Sequence, residues 1–591
     1  MLFGKHVNGF YLKYFLHFII GIIALIVVDF AQLKVPELLG LAMDNIKNGV
    51  DPSTYLSSMI IQLVFVAIAM LFGRFIWRVA LFGVATKIQA DLRRKIFYKT
   101  TKLSRNQFAE NKVGELMSLM TYDVETVQDM FGFGMISLVD FLFLGGLTLY
   151  KMFTLDWRLS LFSMVPLLLI AILSGVIEKG MSVRYENRQK KLDDLSSFAQ
   201  ENFSGIRVIK ACIQEAYEHT EAVRLGMECR KADVSLTKFS AGVDSIISFL
   251  CSTIIVLILG VGGYFIYLGS IGQMEAVLSS GAIITFVGYF STLVWPMMAL
   301  GTFIVMHSKA KTSLKRISTL LDLKEDIHDG DKELTLPVKG EIEIKDFTFF
   351  YENEKYPALK NISLHILSGE KIGIVGRIGS GKTTLSDILL RLYDIEKNKV
   401  FIDGQDIMEL KIKDVHEIIG YVPQDSFLFS DKVRNNIAFY DEEVPFERID
   451  HAAEFSDVKE NILGFSQGYD TLTGERGVSL SGGQKQRIAI SRAAIKDAPI
   501  LIFDDSVSAV DMKTEKTILE NIQKEREGKT TIIIASRVST VENLDRILVL
   551  NDGEVEGFDK HEVLYEKSPL YRKMVAVQKI EDSMEGRNRY E

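Results

Sequence analysis

Six long apolar runs in the first 310 residues limit the possible folds of this chain more than any other feature. They cover about residues 15–40, 57–84, 133–153, 158–178, 244–269 and 281–306. About 20 apolar residues cross a bilayer as a helix, and none of these runs alternates as a membrane barrel strand does. The first run follows Lys5 and Lys13, as in a signal peptide, but it lacks a small-residue cleavage site. The sequence therefore predicts an all-α membrane domain with six spans, the first of them retained.

Two of the connections between spans are long, polar and helix-forming. About 48 residues separate the second and third spans, and about 65 separate the fourth and fifth. Both connections are rich in Lys and Arg, which mark the cytoplasmic side, so we expect both of them and both termini in the cytoplasm. As antiparallel helix pairs they would extend about 40 Å from the membrane. We expect them to act as levers, with turns near Asn111–Leu116 and Gln200–Arg207; the alternative is that they are merely long solvated helices.

Four charged residues lie inside the predicted spans: Asp29, Arg74, Arg78 and Asp140. Charges buried in a membrane are costly and face a cavity or a partner. A substrate contact and a structural ion pair both remain open for each, and Asp140 is the weakest case because it lies near one end of its span. The three cysteines, Cys212, Cys229 and Cys251, are far apart, which favours unpaired thiols.

The C-terminal half, from about residue 340, has the composition of a soluble domain with a glycine-rich loop. Short apolar runs predict strands, and the run Lys371–Val375 leads into Gly376–Thr384 (GRIGSGKTT) and then a helical segment. A strand, a G-x-x-x-x-G-K-[ST] loop and a helix bind nucleotide phosphates through backbone N–H groups. We predict that Lys382 contacts the β- and γ-phosphates. Thr383 should hold Mg²⁺, with Asp504 after the strand Pro499–Phe503 completing the shell.

The segment Leu480-Ser-Gly-Gly-Gln484 resembles the signature of ABC transporters, and the resemblance extends over essentially the whole chain. It implies that ATP is bound by Tyr351, Gly376, Gly379, Ser380, Gly381, Lys382, Thr383, Thr384 and Gln424, and Mg²⁺ by Thr383, Gln424 and Asp504. Within this set, Tyr351 is expected to stack on adenine. It also implies that Leu480, Ser481, Gly482, Gly483 and Gln484 contact the ATP of an opposite site, and that Asp511 lies in the loop joining the sites. The coupling residues that it implies are Glu475, Gly114, Glu115, Asn202 and Gly205. Because two cassettes of this family face each other head to tail, the chain is expected to dimerise.

Two positions depart from the family pattern. Asp505 stands where the family has the catalytic Glu, so its carboxylate retreats by about 1.5 Å, and a misplacement of about 1 Å can cost about 10²-fold in rate. Ser536 stands where the family has His, and it is too short and never cationic. Both belong to the site built on this chain's own phosphate loop, whereas the intact signature serves the other site. The pattern resembles the degenerate-site half of a heterodimeric bacterial multidrug exporter, with a homodimer of two slow sites as the alternative.

The expected fold is multidomain: an all-α six-helix transmembrane domain followed by an α/β P-loop ATP-binding cassette. The predicted bounds are 1–315 for the membrane domain, 316–339 for a linker, 340–580 for the cassette and 581–591 for a tail. We expect ATP-driven efflux of hydrophobic compounds or drugs across the plasma membrane of a bacterium, with membrane lipid and a second half-transporter as partners. A lipid flippase, a peptide exporter, and an ATP-gated channel or regulatory subunit remain alternatives. The net charge of −8 gives no reason to expect nucleic acid.

Overall fold

The computed structural model describes the backbone of residues 4–271, 278–352, 354–439, 441, 443–474, 477, 480–507 and 510–588, and their side chains except at 109, 165–176, 178–179 and 581–588. The chain forms two compact units. The first contains Met1–Thr101 and Val113–Leu323, and the second contains Lys102–Lys112 and Lys324–Glu591. The predicted boundary at residue 315 therefore falls inside a helix, Ser280–Leu321, and the predicted tail begins inside another, Pro569–Asn588.

Among the described residues of the first unit, five helical segments are long and apolar enough to cross a membrane: Phe15–Lys47, Pro52–Thr100, Val113–Leu155, Glu215–Ser270 and Ser280–Leu321. The predicted fourth span lies on the helix Trp157–Ser204, where most side chains between 165 and 179 are outside the described residues. The helices exceed the predicted spans because they continue into the polar connecting segments. The 49-residue helix Pro52–Thr100 is about 74 Å long, roughly twice what a bilayer needs.

Side-chain caps determine where several of these helices begin. Asp51 precedes Pro52, the first residue of its helix, and its side chain accepts a hydrogen bond from the backbone N–H of Ser53. Asp156 and Ser279 cap the following helices in the same way, through the N–H groups of Leu159 and Ala282. Such caps satisfy N–H groups that have no partner inside the helix. Each of these long helices therefore begins at a defined residue, directly after a short connection.

The third predicted span is not a regular α-helix. The segment Val113–Leu155 contains three π-helical stretches, Leu119–Asp123, Met130–Gly134 and Asp140–Gly145. Each π turn inserts a residue and changes the direction of the side chains that follow it. The helix Ser280–Leu321 packs against this segment through buried aromatic residues such as Phe286 and Tyr289, which are part of the core of the unit.

The second unit is an α/β domain, and its described residues form ten strands. They are β1 Ile342–Phe349, β2 Leu359–Ile366, β3 Lys371–Gly376, β4 Val400–Ile402, β5 Gln405–Asp406, β6 Ile419–Val422, β7 Ile500–Asp504, β8 Thr530–Ile534, β9 Arg546–Asn551 and β10 Glu554–Asp559. One sheet has the order β2-β1-β4-β5 and the other β10-β9-β3-β8-β7-β6. In the second sheet, β9, β3, β8, β7 and β6 are parallel.

Helices of the second unit cover and connect these sheets. They are Arg105–Glu110, Lys382–Leu389, Ile412–Ile418, Val433–Ile437, Phe446–Phe455, Lys459–Leu463, Gly482–Ala494, Met512–Glu525, His561–Lys567 and Pro569–Asn588. All five residues of β7 and of β8 are buried, as expected for strands of a parallel sheet covered on both faces. The carboxyl ends of β3, β8 and β7 are neighbours, and ligands of such sheets bind at these ends.

Candidate functional site

The glycine-rich loop follows β3 directly and ends at the helix Lys382–Leu389, as the sequence predicts. Gly381 has φ +93°, and a Cβ there would lie 2.7 Å from the carbonyl oxygen of Ala358. A residue with a side chain would therefore be strained in both conformation and packing. The Oγ of Ser380 in the same loop is buried and has no hydrogen-bond partner among the described residues. A phosphate oxygen is a suitable acceptor for such a hydroxyl, so the loop fits a nucleotide phosphate.

Lys382 lies across this loop. Its Nζ donates hydrogen bonds to the carbonyl oxygens of Gly376 and Arg377, both at 2.9 Å. Burial lowers the pKa of Lys382, while Asp505 and Asp504 act in the opposite direction. The ammonium group is therefore held at the loop by two backbone carbonyls, where it can reach a phosphate bound there.

Asp504 ends β7 and is 2% exposed. Its two carboxylate oxygens accept hydrogen bonds from the hydroxyls of Thr383 and Tyr421, each at 3.3 Å. Burial raises the pKa of Asp504, and these two hydrogen bonds oppose the shift. A threonine hydroxyl beside a buried carboxylate fits Mg²⁺, which takes one or two protein oxygens and completes its shell with water and phosphate. Gln424, the third predicted ligand, is exposed.

The two departures from the family pattern lie in direct contact. Asp505 follows β7 with φ +47°, and its Oδ1 accepts hydrogen bonds from both the backbone N–H and the Oγ of Ser536, each at 3.2 Å. Neighbouring parallel strands explain the contact, since Asp504 on β7 is paired with Ile534 on β8. The Asp505 carboxylate is therefore directed toward Ser536.

Tyr351, predicted to stack on adenine, is half-buried beside the same helix. Its hydroxyl pairs with the Oγ1 of Thr384 at 2.7 Å. Its ring packs edge-on against Phe349 and Tyr393, with centroids 5.2 and 5.6 Å away. The phenol is thus held by the helix that begins at the phosphate loop, and adenine stacking remains a prediction.

The signature segment forms the start of the helix Gly482–Ala494. Ser481 and Gln484 make a reciprocal capping box, in which each side chain accepts from the backbone N–H of the other. A Cβ added at Gly482 or Gly483 would meet nothing within 4 Å. The packing of this chain therefore does not require glycine at either position. The open N-terminus of a 13-residue helix suits an anion. The contact with the ATP of an opposite site stays a prediction.

The remaining predicted residues have different outcomes. Asp511 caps the helix Met512–Glu525 by accepting from the N–H of Thr514 at 3.1 Å, which lowers its pKa. Glu475, predicted to couple the cassette to the levers, lies outside the described residues. Gly114, Glu115, Asn202 and Gly205 belong to the first unit, where Glu115 is 3.5 Å from Arg316. Their coupling roles stay predictions.

The sequence reasoning missed the segment Lys102–Lys112, which belongs to the second unit and precedes the predicted lever turn. Arg105 forms an ion pair with Asp387, a residue of the helix that follows the phosphate loop. Asp387 is 2% exposed on its side chain, and burial raises its pKa to about 6 against the opposing effect of Arg105.

Gln107 of the same segment donates to the backbone carbonyl of Lys324 at 2.8 Å and to Asp326 at 2.9 Å. Ser104 begins the short helix through a capping box with Gln107. The pattern S-x-x-Q was the available sequence signal for this helix.

Comparison with known proteins agrees with this architecture. A family model of the ABC transporter transmembrane region matches residues 18–297, and one of the ABC transporter matches residues 359–508. A multidrug resistance-like ATP-binding protein MdlA of Buchnera aphidicola subsp. Schizaphis graminum is 32% identical over 584 residues, covering 98% of this chain and 99% of the relative. The protein of that name from Escherichia coli is 31% identical, covering 96% and 95%.

Two further proteins show how wide the similarity is. An ATP-dependent lipid A-core flippase of Syntrophus aciditrophicus is 32% identical over 505 residues, covering 85% of this chain and 82% of the relative. The solved structure of a bacterial Atm1-family ABC exporter with ATP bound shares the fold. Its TM-score is 0.72 at 24% identity, and the match covers 97% of this chain and 98% of that one. With a helical membrane unit followed by an α/β nucleotide-binding unit, the chain belongs to the ABC transporter family and has the exporter-type arrangement of domains.

Proposed function

We propose that this chain is the half of a heterodimeric exporter that carries the slow ATP site, and that the complex expels hydrophobic compounds from the cytoplasm. The observation that carries this proposal is the Asp505–Ser536 contact. Lys382, Thr383 and Asp504, which we expect to hold Mg·ATP, lie on the same phosphate loop, helix and strand end and support the binding part of the proposal. We therefore expect this site to bind ATP well and to hydrolyse it slowly.

Binding would rest on donors that the loop already presents. Lys382 would exchange two backbone carbonyls for phosphate oxygens, and Thr383 and Asp504 would share Mg²⁺ with the nucleotide. ATP supplies the γ-phosphoryl group whose transfer to water drives transport. The loop and the N-terminus of its helix position that group and stabilise its charge, which is most of what a protein contributes to phosphoryl transfer.

Cleavage would be slow because the attacking water lacks a well-placed base. The Asp505 carboxylate is one methylene shorter than Glu and is directed toward Ser536, 3.2 Å away. A displacement of about 1 Å from the productive position can cost about 10²-fold. Ser536 offers a neutral hydroxyl where a longer cationic side chain would reach the γ-phosphate. Asp505 is thus poorly placed to accept a proton from the attacking water, and its carboxylate already accepts hydrogen bonds from Ser536.

A partner subunit would complete both sites. The open N-terminus of the signature helix has the geometry to face an ATP held by another chain. At the tip of the long helix pair, the exposed apolar side chains Phe203, Val208, Ile213 and Tyr217 form a surface of the kind that marks protein contacts. A heterodimer gives the intact signature a use, because it would complete a site whose base belongs to the partner.

The alternatives differ in what they move. A lipid flippase is favoured by the similarity to proteins named lipid A-core flippases, whereas a peptide exporter has no specific observation in its favour. A channel or regulatory subunit would also tolerate a slow ATP site. Vesicle assays separate these classes. Accumulation of a hydrophobic compound against its gradient indicates a pump, translocation of labelled lipid a flippase, and passive ion current a channel.

ATP hydrolysis by the purified full-length chain tests the slow site. Alone, it should bind ATP but turn it over about 10²-fold more slowly than a site with the family's Glu. The double variant Asp505→Glu, Ser536→His should raise turnover, and Lys382→Ala is the control that removes binding. Vigorous hydrolysis by the unmodified chain alone would refute the asymmetric assignment.

A further inference from the structure

Two acidic side chains lie deep inside the membrane unit. Asp29 lies in the middle part of the helix Phe15–Lys47, and Asp140 begins the π-helical stretch Asp140–Gly145. They are 3% and 6% exposed. Asp140 was the weakest candidate for a buried charge, because it lies near the end of a predicted span. The structure shows that it is buried. Arg74 and Arg78 are exposed. Carboxylates this deep in a membrane segment are costly unless something compensates them.

Neither carboxylate is fully compensated by the described part of the chain. Asp140 accepts a hydrogen bond from the indole N–H of Trp295 at 2.7 Å, but its other oxygen has no partner. Asp29 has one buried oxygen without a partner, and the two carboxylates repel each other. Lys34 and Lys151 do not neutralise either carboxylate, because both form ion pairs with Glu37. Asp29 is therefore a buried carboxyl group with an oxygen that has no partner among the described residues, and a bound cation would stabilise its ionised form.

A cavity of about 290 Å³ opens beside Asp29. Its other walls are apolar or aromatic and include Phe30, Phe143 and Tyr150. Aromatic faces attract cations, and the wall that contains Phe143 belongs to the π-helical stretch, an irregularity frequent at functional sites. The cavity volume is near the lower end of small-molecule sites. It suits a charged group whose apolar body extends beyond it.

The chemistry of the walls indicates an organic cation rather than a metal ion. Ca²⁺ and Mg²⁺ require about six oxygen ligands, and Asp29 is the one acidic side chain among the lining residues. We propose that this cavity binds the positively charged group of a hydrophobic monocation, with Asp29 as its counter-ion. The proposal rests on the proposed function, of which it names a substrate class. Asp140, held by Trp295, adds negative potential from the neighbouring helix.

Binding of two ions of equal shape and opposite charge tests the proposal. Tetraphenylphosphonium and tetraphenylborate would be measured by equilibrium dialysis against the full-length chain in lipid nanodiscs, with protein-free nanodiscs as the reference. Asp29→Asn should weaken tetraphenylphosphonium binding by at least about 30-fold, the usual effect of removing one partner of a buried charge pair. Tetraphenylborate binding should stay equal or become tighter. Asp29→Glu should retain most cation affinity.

The matched control is Asp193→Asn, the same chemical change at an exposed site of the helix Trp157–Ser204. It should leave the binding of both ions unchanged. Cation binding by Asp29→Asn equal to that of the unmodified chain would overturn the proposal. An equal loss for both ions would also overturn it, because it would show a structural role. Since asparagine has the shape of aspartate and removes a buried charge, folding should be retained, and the thermal midpoint verifies this.

Export of a neutral hydrophobic compound separates this inference from the proposed function. ATP-driven expulsion of N-phenyl-1-naphthylamine from vesicles containing the complete complex reports export without a charge requirement. If that export proceeds and Asp29→Asn binds tetraphenylphosphonium as tightly as the unmodified chain, the exporter assignment stands and the cation site is wrong. If charge-selective binding depends on Asp29 but neither compound is expelled, the site stands and the proposed function fails.

Discussion

Replacing Arg105 by alanine tests how the segment Lys102–Lys112 is held in the ATP-binding unit. Arg105 provides the positive charge paired with Asp387, one of whose carboxylate oxygens already lacks a partner. Without Arg105 the buried carboxylate would stand alone, and the burial that raises its pKa to about 6 would act unopposed. The variant should therefore loosen this segment from the helix Lys382–Leu389.

The two ends of this ion pair differ in exposure, which sets the expected magnitude. The Asp387 side chain is 2% exposed, whereas that of Arg105 is 53% exposed. Breaking a fully buried pair costs about 3–5 kcal/mol, and an exposed pair contributes up to about 1 kcal/mol. After discounting for the solvent around Arg105, we expect about 1–2 kcal/mol. Asp387→Asn should cost little, because it removes a charge that is already unfavourable.

Hydrogen exchange of residues 102–112 in the full-length chain measures this effect. The Arg105→Ala variant should lose about 5- to 30-fold of protection there, and the double variant with Asp387→Asn should recover most of it. Lys102→Ala is the matched control, because its contact with Glu325 is an exposed pair at 3.4 Å. Equal loss of protection in the single and double variants would refute the electrostatic account.

Three further outcomes follow from described contacts. Gly381→Ala should weaken binding of a fluorescent ATP analogue at least about tenfold, because φ +93° strains any residue with a side chain and the carbonyl of Ala358 lies too close to where the Cβ would be. The control Gly464→Ala should bind the analogue normally, because the φ of Gly464 is −76°. Since burial raises the pKa of Asp387 to about 6, above its unfolded value, the folded chain binds more protons between about pH 4 and 6. Thermal midpoints should therefore fall as pH rises through that window, and an unchanged slope in Asp387→Asn would contradict this. Phe203→Asp, at a side chain 77% exposed, should leave the fold intact but reduce co-purification of the partner subunit; undiminished co-purification would exclude this tip from the interface.

The phosphate loop was the most predictable part of the site. Its spacing is fixed by a strand, by glycines with positive φ and by a helix start, all of which are local in sequence. The departures at Asp505 and Ser536 were also visible, because each replaces a family residue in a recognisable strand context. Their mutual hydrogen bond was not visible, since it depends on the register of β7 against β8.

Contacts between distant residues explain what the sequence did not reveal. Arg105 and Asp387 are 282 positions apart, and neither belongs to a recognised motif. The predicted lever turn at Asn111–Leu116 was placed at a polar, glycine-containing stretch, whereas the helix that docks begins at a capping box seven residues earlier. Asp140 was placed near a span end because the apolar window begins at residue 133, although helical structure already begins at Val113. Hydropathy detects spans but not the helices that continue beyond them.

The allocation of Lys102–Lys112 to the ATP-binding unit has a consequence for biosynthesis. This segment leaves the ribosome well before its binding surface exists, because Asp387 is translated 282 residues after Arg105. At about 5–20 residues per second, the interval is roughly 14–56 s. Until Lys324, Asp326 and Asp387 have been translated, the side-chain amide of Gln107 lacks its distant acceptors and Arg105 lacks its ion-pair partner. The nascent chain must keep the segment accessible during this time. A chain whose segment misdocks in this interval would be exposed early to degradation by cellular quality control. A shortened chain that starts at Lys324 would lack Lys102–Lys112, which is part of the ATP-binding unit.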